Sequence, residues 1–368
     1  MFTTTAGGYS PLANSVGINL AFLPVKPTGL ATYAINLLPH LQPLAPTLFS
    51  PRPHTGFHHQ PVPADMTHEQ GRQGHGSRLW WTQMRLPQLY RQQGLRLLFS
   101  PIPEAPLWSG SRFVVTVHDL IPLRFFKRFT PLWSYQRYYM PRVLQQAEHI
   151  ICISQATADD IIDFYQIPAS KITPILLAYN CDHFRPLDLP TGDYFLYLGR
   201  NDPHKNVRRA LSAFAQLPLN RDQEFWMAGP MDPRYTPALQ DHIDVLGLTQ
   251  RVKFLSYVPY DDLPKVINQA LALVMPSLWE GFGLPVLEAM ACGTPVITSN
   301  LSSLPEVAGD AALLVDPYDE AAITGAMHRV INEPGLRQQL SQASLQRASQ
   351  FSWAKTGAAT LEVLRQYL

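Results

Sequence analysis

Two glutamates eight positions apart, Glu280 and Glu288, flank a glycine-bearing loop in the run Pro276–Thr298, PSLWEGFGLPVLEAMACGTPVIT. The run reads as a strand ending near Met275, a loop Glu280-Gly281-Phe282-Gly283, and a helix from Leu284-Pro285, where proline suits the first turn. The glycines let backbone amides approach a ligand, and the helix N-terminus favours an anion or a sugar oxygen. Carboxylates accept hydrogen bonds from vicinal hydroxyls such as those of a ribose or a hexose. Taken alone, Glu280 is equally an ordinary solvated glutamate in a strand–helix unit.

Cations stand in a second such unit, Leu196–Val207 (LYLGRNDPHKNV). Gly199 and Arg200 end a strand, and Lys205 precedes a helix that Asn206 is placed to cap. Arg binds phosphate oxygens as a fork and Lys as a point charge, so the pair suits a diphosphate. Isolated surface cations would read the same way. A third constellation, Thr116–Leu120 (TVHDL), puts His118 at a strand terminus, either facing a cleft or simply bonded to Asp119. A fourth, Val25–Tyr33 (VKPTGLATY), puts Gly29 between a strand and a helix, where its amide can approach phosphate.

These residues need strands to carry them. Short apolar runs at 16–23, 95–99, 113–117 and 149–153 alternate with helical patterns, among them 29–41, 78–93 and 131–147. After a polar stretch at 180–193 the alternation restarts, with strand-like runs at 194–199, 224–229, 252–255, 270–275, 295–298 and 311–315. Unbroken apolar runs separated by helices predict buried parallel strands and an α/β class. The expected architecture is two Rossmann-like domains, 1–182 and 194–350, joined by a linker at 183–193 and closed by a terminal helix at 351–368. Ligands of such sheets bind beyond the carboxyl ends of the strands, here in the cleft between domains. Residues 51–77, rich in Pro, Gly and His, are expected to be a mobile loop and not a metal site.

The 368 residues carry a formal net charge of +1 and offer no nucleic-acid motif, which disfavours nucleic-acid binding. Residues 1–190 hold 15 Lys and Arg against 10 Asp and Glu, and the remainder 14 against 18. Three cysteines, Cys152, Cys181 and Cys292, lack metal-ligand or CxxC spacing. Disulfides and a zinc site are not expected, and a reducing cytoplasm is. Met1–Ser15 has neither basic residues nor an apolar run, so no signal peptide is expected, and no stretch is long enough to span a membrane.

The run from Glu280 to Glu288 resembles the E-x7-E signature of retaining nucleotide-sugar glycosyltransferases of the GT-B fold, family GT4. The resemblance covers roughly residues 16–368, is loosest from 42 to 94, and is nearest the mannosyltransferase-like branch. It implies that Glu280 faces the transferred sugar and Glu288 the nucleotide ribose, with Gly281, Phe282, Gly283 and Leu284 beside the donor. It likewise implies that Arg200 and Lys205 neutralise the diphosphate, that His118 lies by the transferred sugar and the acceptor, and that Gly29 approaches the phosphates. The family usually has two adjacent glycines where this chain has Thr28-Gly29.

The implied reaction moves a hexosyl group, mannosyl or similar, from GDP-mannose or a UDP- or dTDP-hexose to a glycan or lipid-linked hydroxyl with retained configuration. No cofactor is implied beyond this nucleotide-sugar co-substrate. No Asp-x-Asp motif ends a strand, so protein cations are expected in place of a metal; Asp159-Asp160 reads as a helix-start charge pair. Five arginines between Arg72 and Arg96, Leu79-Trp80-Trp81 and the stretch Arg124–Arg142 mix basic with aromatic residues. That mixture suits either contact with an anionic membrane surface or burial of the rings in their own domain. The rival functions are a nucleotide-sugar epimerase or hydrolase of the same fold and a non-catalytic sugar-nucleotide-binding scaffold.

Overall fold

The computed structural model describes residues 15–25, 29–125, 130–218 and 223–368. The Met1–Asn14 part of the signal-peptide expectation, Thr28 of the glycine loop, and 126–129 of the basic–aromatic stretch lie outside them.

The short apolar runs build two sheets. The first contains β1 (Val16–Asn19), β2 (Thr47–Ser50), β3 (His58–Pro61), β4 (Leu97–Ser100), β5 (Phe113–Val117), β6 (His149–Cys152) and β7 (Ile172–Pro174), in the order β3-β2-β1-β4-β5-β6-β7. The second contains β8 (Tyr194–Leu198), β9 (Glu224–Ala228), β10 (Val252–Ser256), β11 (Ala272–Met275), β12 (Val296–Ser299) and β13 (Leu313–Val315), in the order β10-β9-β8-β11-β12-β13. Every neighbouring pair is parallel. In each sheet the strand order reverses beside the first strand, between β1 and β4 and between β8 and β11. At such switch points the loops diverge to opposite faces and leave a crevice for a ligand.

The helices that bear on the site are α1 (Gly29–Leu41), α2 (Gly71–Met84), α3 (Ile121–Phe125), α4 (Gln155–Tyr165), α5 (Val207–Ala215), α6 (Leu284–Ala291), α7 (Leu304–Ala308) and α8 (Trp353–Gln366). Strands β1, β4, β5 and β6 are buried at every residue, as sheets covered on both faces must be. One face of the first sheet packs Leu98, Val115 and Ile150 against Leu144 and Ile161. One face of the second packs Phe195, Phe225 and Val274 against Phe214 and Met327. A third cluster runs without a break from Ile18 and Phe99 through Leu364 to Leu273 and Met290, so apolar burial itself joins the halves.

Helix α8 is central to that join. Ser352 caps it by accepting from Lys355 N at 3.3 Å. Thr356 Oγ1 donates to Leu176 O at 2.8 Å, and the Tyr367 hydroxyl lies 2.9 Å from His149 Nδ1. A Cβ on Gly357 would stand 2.2 Å from His40 Cβ on α1, so only glycine permits this approach.

The expectation of a loop at 51–77 is corrected. β3 extends the first sheet, with His58 opposite Thr47 and Gln60 opposite Phe49. Thr67 and Gln70 then form a capping box, and α2 starts at Gly71. The unpaired edge of β2 recruits a strand whose residues have little strand propensity, because pairing satisfies backbone groups whatever the side chains. Arg78 is correspondingly buried, forking onto Glu104 at 2.7 and 2.8 Å and donating to Met66 O at 2.8 Å. Trp81 is buried as well, while Trp80 is exposed. Among the described residues no helix is long and apolar enough to cross a membrane.

Candidate active site

The second sheet delivers its cations at the ends of β8. Gly199 has φ +148° and donates its N–H to Ala228 O at 2.9 Å. A Cβ on the neighbouring Gly229 would come within 2.0 Å of Gly199 O, so the strand ends close up on glycine. Arg200 follows, with Nη2 3.2 Å from Asp232 and Nε 3.3 Å from Asp202, its side chain more than half exposed. Hydrogen bonds from Arg234 hold the Asp232 carboxyl well below the usual carboxylate range.

A short turn, Pro203–Lys205, then presents Lys205. Asn206 does not cap α5 as expected. It sits at φ +60° and donates Nδ2 to Pro276 O and Pro317 O at 3.0 and 2.6 Å, which ties the turn to the Glu280 loop. Lys205 Nζ lies 2.7 Å from both carboxylate oxygens of Glu280.

The backbone of Glu280 is fixed on both sides. Its N–H donates to Ser302 Oγ at 3.1 Å, and Ser303 Oγ donates to Glu280 O and Phe282 O at 3.0 and 2.8 Å. Gly283 has φ +109°, a conformation L side chains rarely adopt, and its position lets Leu284 open α6. Glu288, one turn along, is half-buried, and its carboxylate has no hydrogen-bond partner among the described residues. Burial pushes its carboxyl up to about 8.

The first sheet contributes His118 at the end of β5. Its Nε2–H donates to Pro101 O at 2.8 Å, leaving Nδ1 with its lone pair. Burial depresses the imidazole to about 4, against the raising effect of that hydrogen bond, so the ring is neutral at pH 7. Tyr33 packs edge-on at 5.0 Å between ring centroids. The halves touch here: a Cβ on Gly281 would lie 2.3 Å from His118 O. Thr157 Oγ1 stands 3.4 Å from both the His118 and Gly281 carbonyl oxygens.

His118, Lys205, Glu280 and Gly281 are therefore brought together. Arg200 is turned toward Asp202 and Asp232. Gly29 is the exposed first residue of α1, with open space where a Cβ would be. Sequence reasoning missed Ser302, Ser303 and Asp232. It also read Asp160 as a helix-start charge. Asp159 does accept from Gln155 Nε2 at 2.8 Å, but Asp160 is buried and accepts from Arg124 and from Trp279 Nε1 at 3.1 Å. Cys292 is buried as a packing residue.

Two parallel sheets facing across a site of carboxylates, cations and a neutral imidazole define the GT-B architecture. Residues 182–347 match the model "Glycosyl transferases group 1" and residues 27–183 match "Glycosyltransferase Family 4". The chain belongs to this glycosyltransferase family. Over 240 residues, 60% of the chain, it is 35% identical to the O-antigen chain mannosyltransferase B of Escherichia coli; the match spans 61% of that relative. In fold it is similar to sucrose-phosphate synthase of Thermosynechococcus elongatus, with a TM-score of 0.77 at 19% identity, covering 96% of this chain and 98% of that one. It is also similar to the Anabaena protein HepE in complex with UDP and glucose, with a TM-score of 0.75 at 18% identity, covering 96% and 100%.

Proposed function

We propose that the chain moves a hexosyl group, mannosyl by its likeness to a mannosyltransferase, from a nucleotide-diphosphate sugar to a hydroxyl of a glycan or lipid-linked acceptor. The observation that carries this reading is the Lys205–Glu280 pair, set at the switch-point end of one sheet, with the adjacent Gly281 against the His118 carbonyl of the other. Lys205 and Arg200 would neutralise the diphosphate as the bond from the anomeric carbon to its phosphate oxygen breaks. Glu280 and the adjacent glycine amides would hold the sugar hydroxyls, and Glu288 the ribose hydroxyls. The acceptor oxygen attacks from the face the diphosphate leaves, its proton passes to the departing phosphate oxygen, and configuration is retained. The described carboxylates include none free of a partner beside His118 to serve as nucleophile: Glu280 is held by Lys205, and Asp119 accepts from Ile121 N. No metal is needed in this scheme, because the protein supplies the cations.

Neutral His118 suits hydrogen bonding through Nδ1 to a hydroxyl of the sugar or acceptor, not proton abstraction at the start of the reaction. We further propose a cytoplasmic protein that meets an anionic membrane surface through its first half. Exposed Trp80 and Met84 on α2, with Arg72 and Arg85, support that placement, whereas Arg78 and Arg124 are held in ion pairs and are not available to it. Sedimentation with anionic vesicles at low salt, lost in a Trp80→Ala/Arg85→Ala variant, checks it.

Calorimetry against GDP, UDP, dTDP and ADP, then their sugars, tests the reaction class. One nucleotide should bind and Arg200→Ala should weaken it. Binding of none overturns every sugar-nucleotide reading, binding without turnover favours a non-catalytic scaffold, and turnover of donor without any acceptor product favours an epimerase or hydrolase.

A further inference from the structure

Helix α4 of the first half is gripped by the second half along one and a half turns. At its start, the Glu306 carboxylate on α7 accepts from Gln155 N and Ala156 N at 2.9 and 3.1 Å. Those amides are left without intrahelical partners, and the positive end of the helix dipole favours an anion there. Ser154 caps the same turn from within the first half, accepting from Thr157 N at 3.1 Å. Glu306 is itself anchored, since Arg347 donates to its carbonyl at 2.6 Å and to Val307 O at 3.0 Å.

In the same turn, Thr157 Oγ1 lies 3.4 Å from the Gly281 carbonyl. Beyond it Asp160, whose side chain is 2% exposed, holds two groups at once. Arg124 on α3 forks onto it, and Trp279 Nε1 donates to it at 3.1 Å. The Arg124 guanidinium also lies 3.7 Å above the Trp279 ring, a cation–π contact with little water between. Phe125, the next residue of α3, stands 5.8 Å between ring centroids from His204, the neighbour of Lys205.

These contacts are not spread over the interface. Trp279 and Gly281 are the residues on either side of Glu280, and His204 adjoins its partner Lys205. The grip thus fixes the backbone that aims the Glu280 carboxylate and does so only when the halves are together.

We propose that α4 is the docking post for closure of the second half, and that Asp160, Arg124 and Glu306 are positioning residues that set Glu280 for transfer. The proposal rests on the glycosyltransferase reading for its consequence but not for its geometry. None of the three touches a donor residue directly except through Trp279, Gly281 or α7.

The test uses the full chain with Asp160→Asn, Glu306→Gln and the double variant, and with Trp279→Phe, which keeps a ring and loses the N–H. Small-angle scattering of the ligand-free double variant should show a larger radius of gyration than wild type. Nucleoside diphosphate affinity should hold within about threefold, because Arg200, Lys205 and Glu288 all belong to the second half, while kcat falls about 100-fold, as misplacement of a reacting group by ~1 Å allows. Donor hydrolysis should rise relative to transfer. An unchanged radius of gyration in the double variant overturns the docking post. A fall in kcat matched by equal loss of nucleotide affinity in every variant, Trp279→Phe included, overturns the positioning role. A larger radius in variants of a chain whose wild type transfers no sugar leaves the post standing and refutes the reaction class instead.

Discussion

Lys205 Nζ is equidistant from the two carboxylate oxygens of Glu280, at 2.7 Å from each, and the two side chains are 19% and 7% exposed. On the proposed function, the cation that would meet a diphosphate is thus held on the carboxylate that would face the sugar. The pair keeps both groups from standing unpaired in a dry crevice before a donor arrives, and an incoming diphosphate competes for the same ammonium.

Lys205→Ala therefore has two separable effects. Loss of the cation should lower kcat/KM by roughly 10² to 10³-fold, the usual cost of one electrostatic contact to developing charge. Loss of the partner leaves Glu280 buried and alone, at about 3 kcal/mol in urea unfolding. Adding Glu280→Gln should recover most of that stability and none of the activity. If the double variant is no more stable than Lys205→Ala, the pair does not carry the stability assigned to it.

Glu288 predicts a pH dependence. Its carboxyl lies at about 8 in the folded chain against 4.5 for an unperturbed glutamate, so between those values the folded state holds a proton that the unfolded state has lost. Its contribution is fully present below pH 4.5, declines as pH rises, and is gone above about 8, with a slope of at most about 1.4 kcal/mol per pH unit. Glu288→Gln should flatten that slope. Accepting ribose hydroxyls favours the carboxylate, so nucleotide affinity should climb from pH 6 to about 8 with release of a proton. Calorimetry in buffers of different ionisation enthalpy reads that proton directly.

The strands legible in the sequence were those with apolar or β-branched runs, such as FVVTV at β5 and YFLYL at β8. β3 was not legible, because HHQP has no strand signal and is recruited by the open edge of β2. β7 was missed for a similar reason: only three residues, ITP, complete the pairing with β6. Of the candidate site, the glycine loop with Glu280 stands out from spacing and resemblance. The Lys205–Glu280 pairing does not, since 75 residues separate the partners. Asp160 looked like a helix-start charge because its partners, Arg124 and Trp279, are 36 and 119 residues away. Local patterns report elements well and long-range side-chain pairing poorly.

Gly281→Ala tests the approach of the halves. The added Cβ would lie 2.3 Å from His118 O and 3.1 Å from Asp119 Cβ, and the first obstacle is backbone, which cannot rotate away. The loop or the whole second half must shift. Transfer should fall by about 100-fold, and nucleotide binding should change little. Retained transfer would show that the halves do not meet this closely during catalysis.

His118 supplies a prediction about what the rate does not do. Burial holds the imidazole at about 4, and Nε2–H is already committed to Pro101 O. From pH 5.5 upward the ring is neutral, so kcat should show no limb near 6.5 from this residue. Its folded value lies below its unfolded one, so the stability it contributes is present above 6.5 and is lost as pH falls toward 4. Nδ1 can accept a hydrogen bond from a hydroxyl without a change in protonation. His118→Ala should then lower kcat by about 10 to 100-fold while leaving the shape of the rate profile above pH 5.5 unaltered. A wild-type limb near 6.5 that disappears in His118→Ala would show instead that the imidazole carries a proton during the reaction.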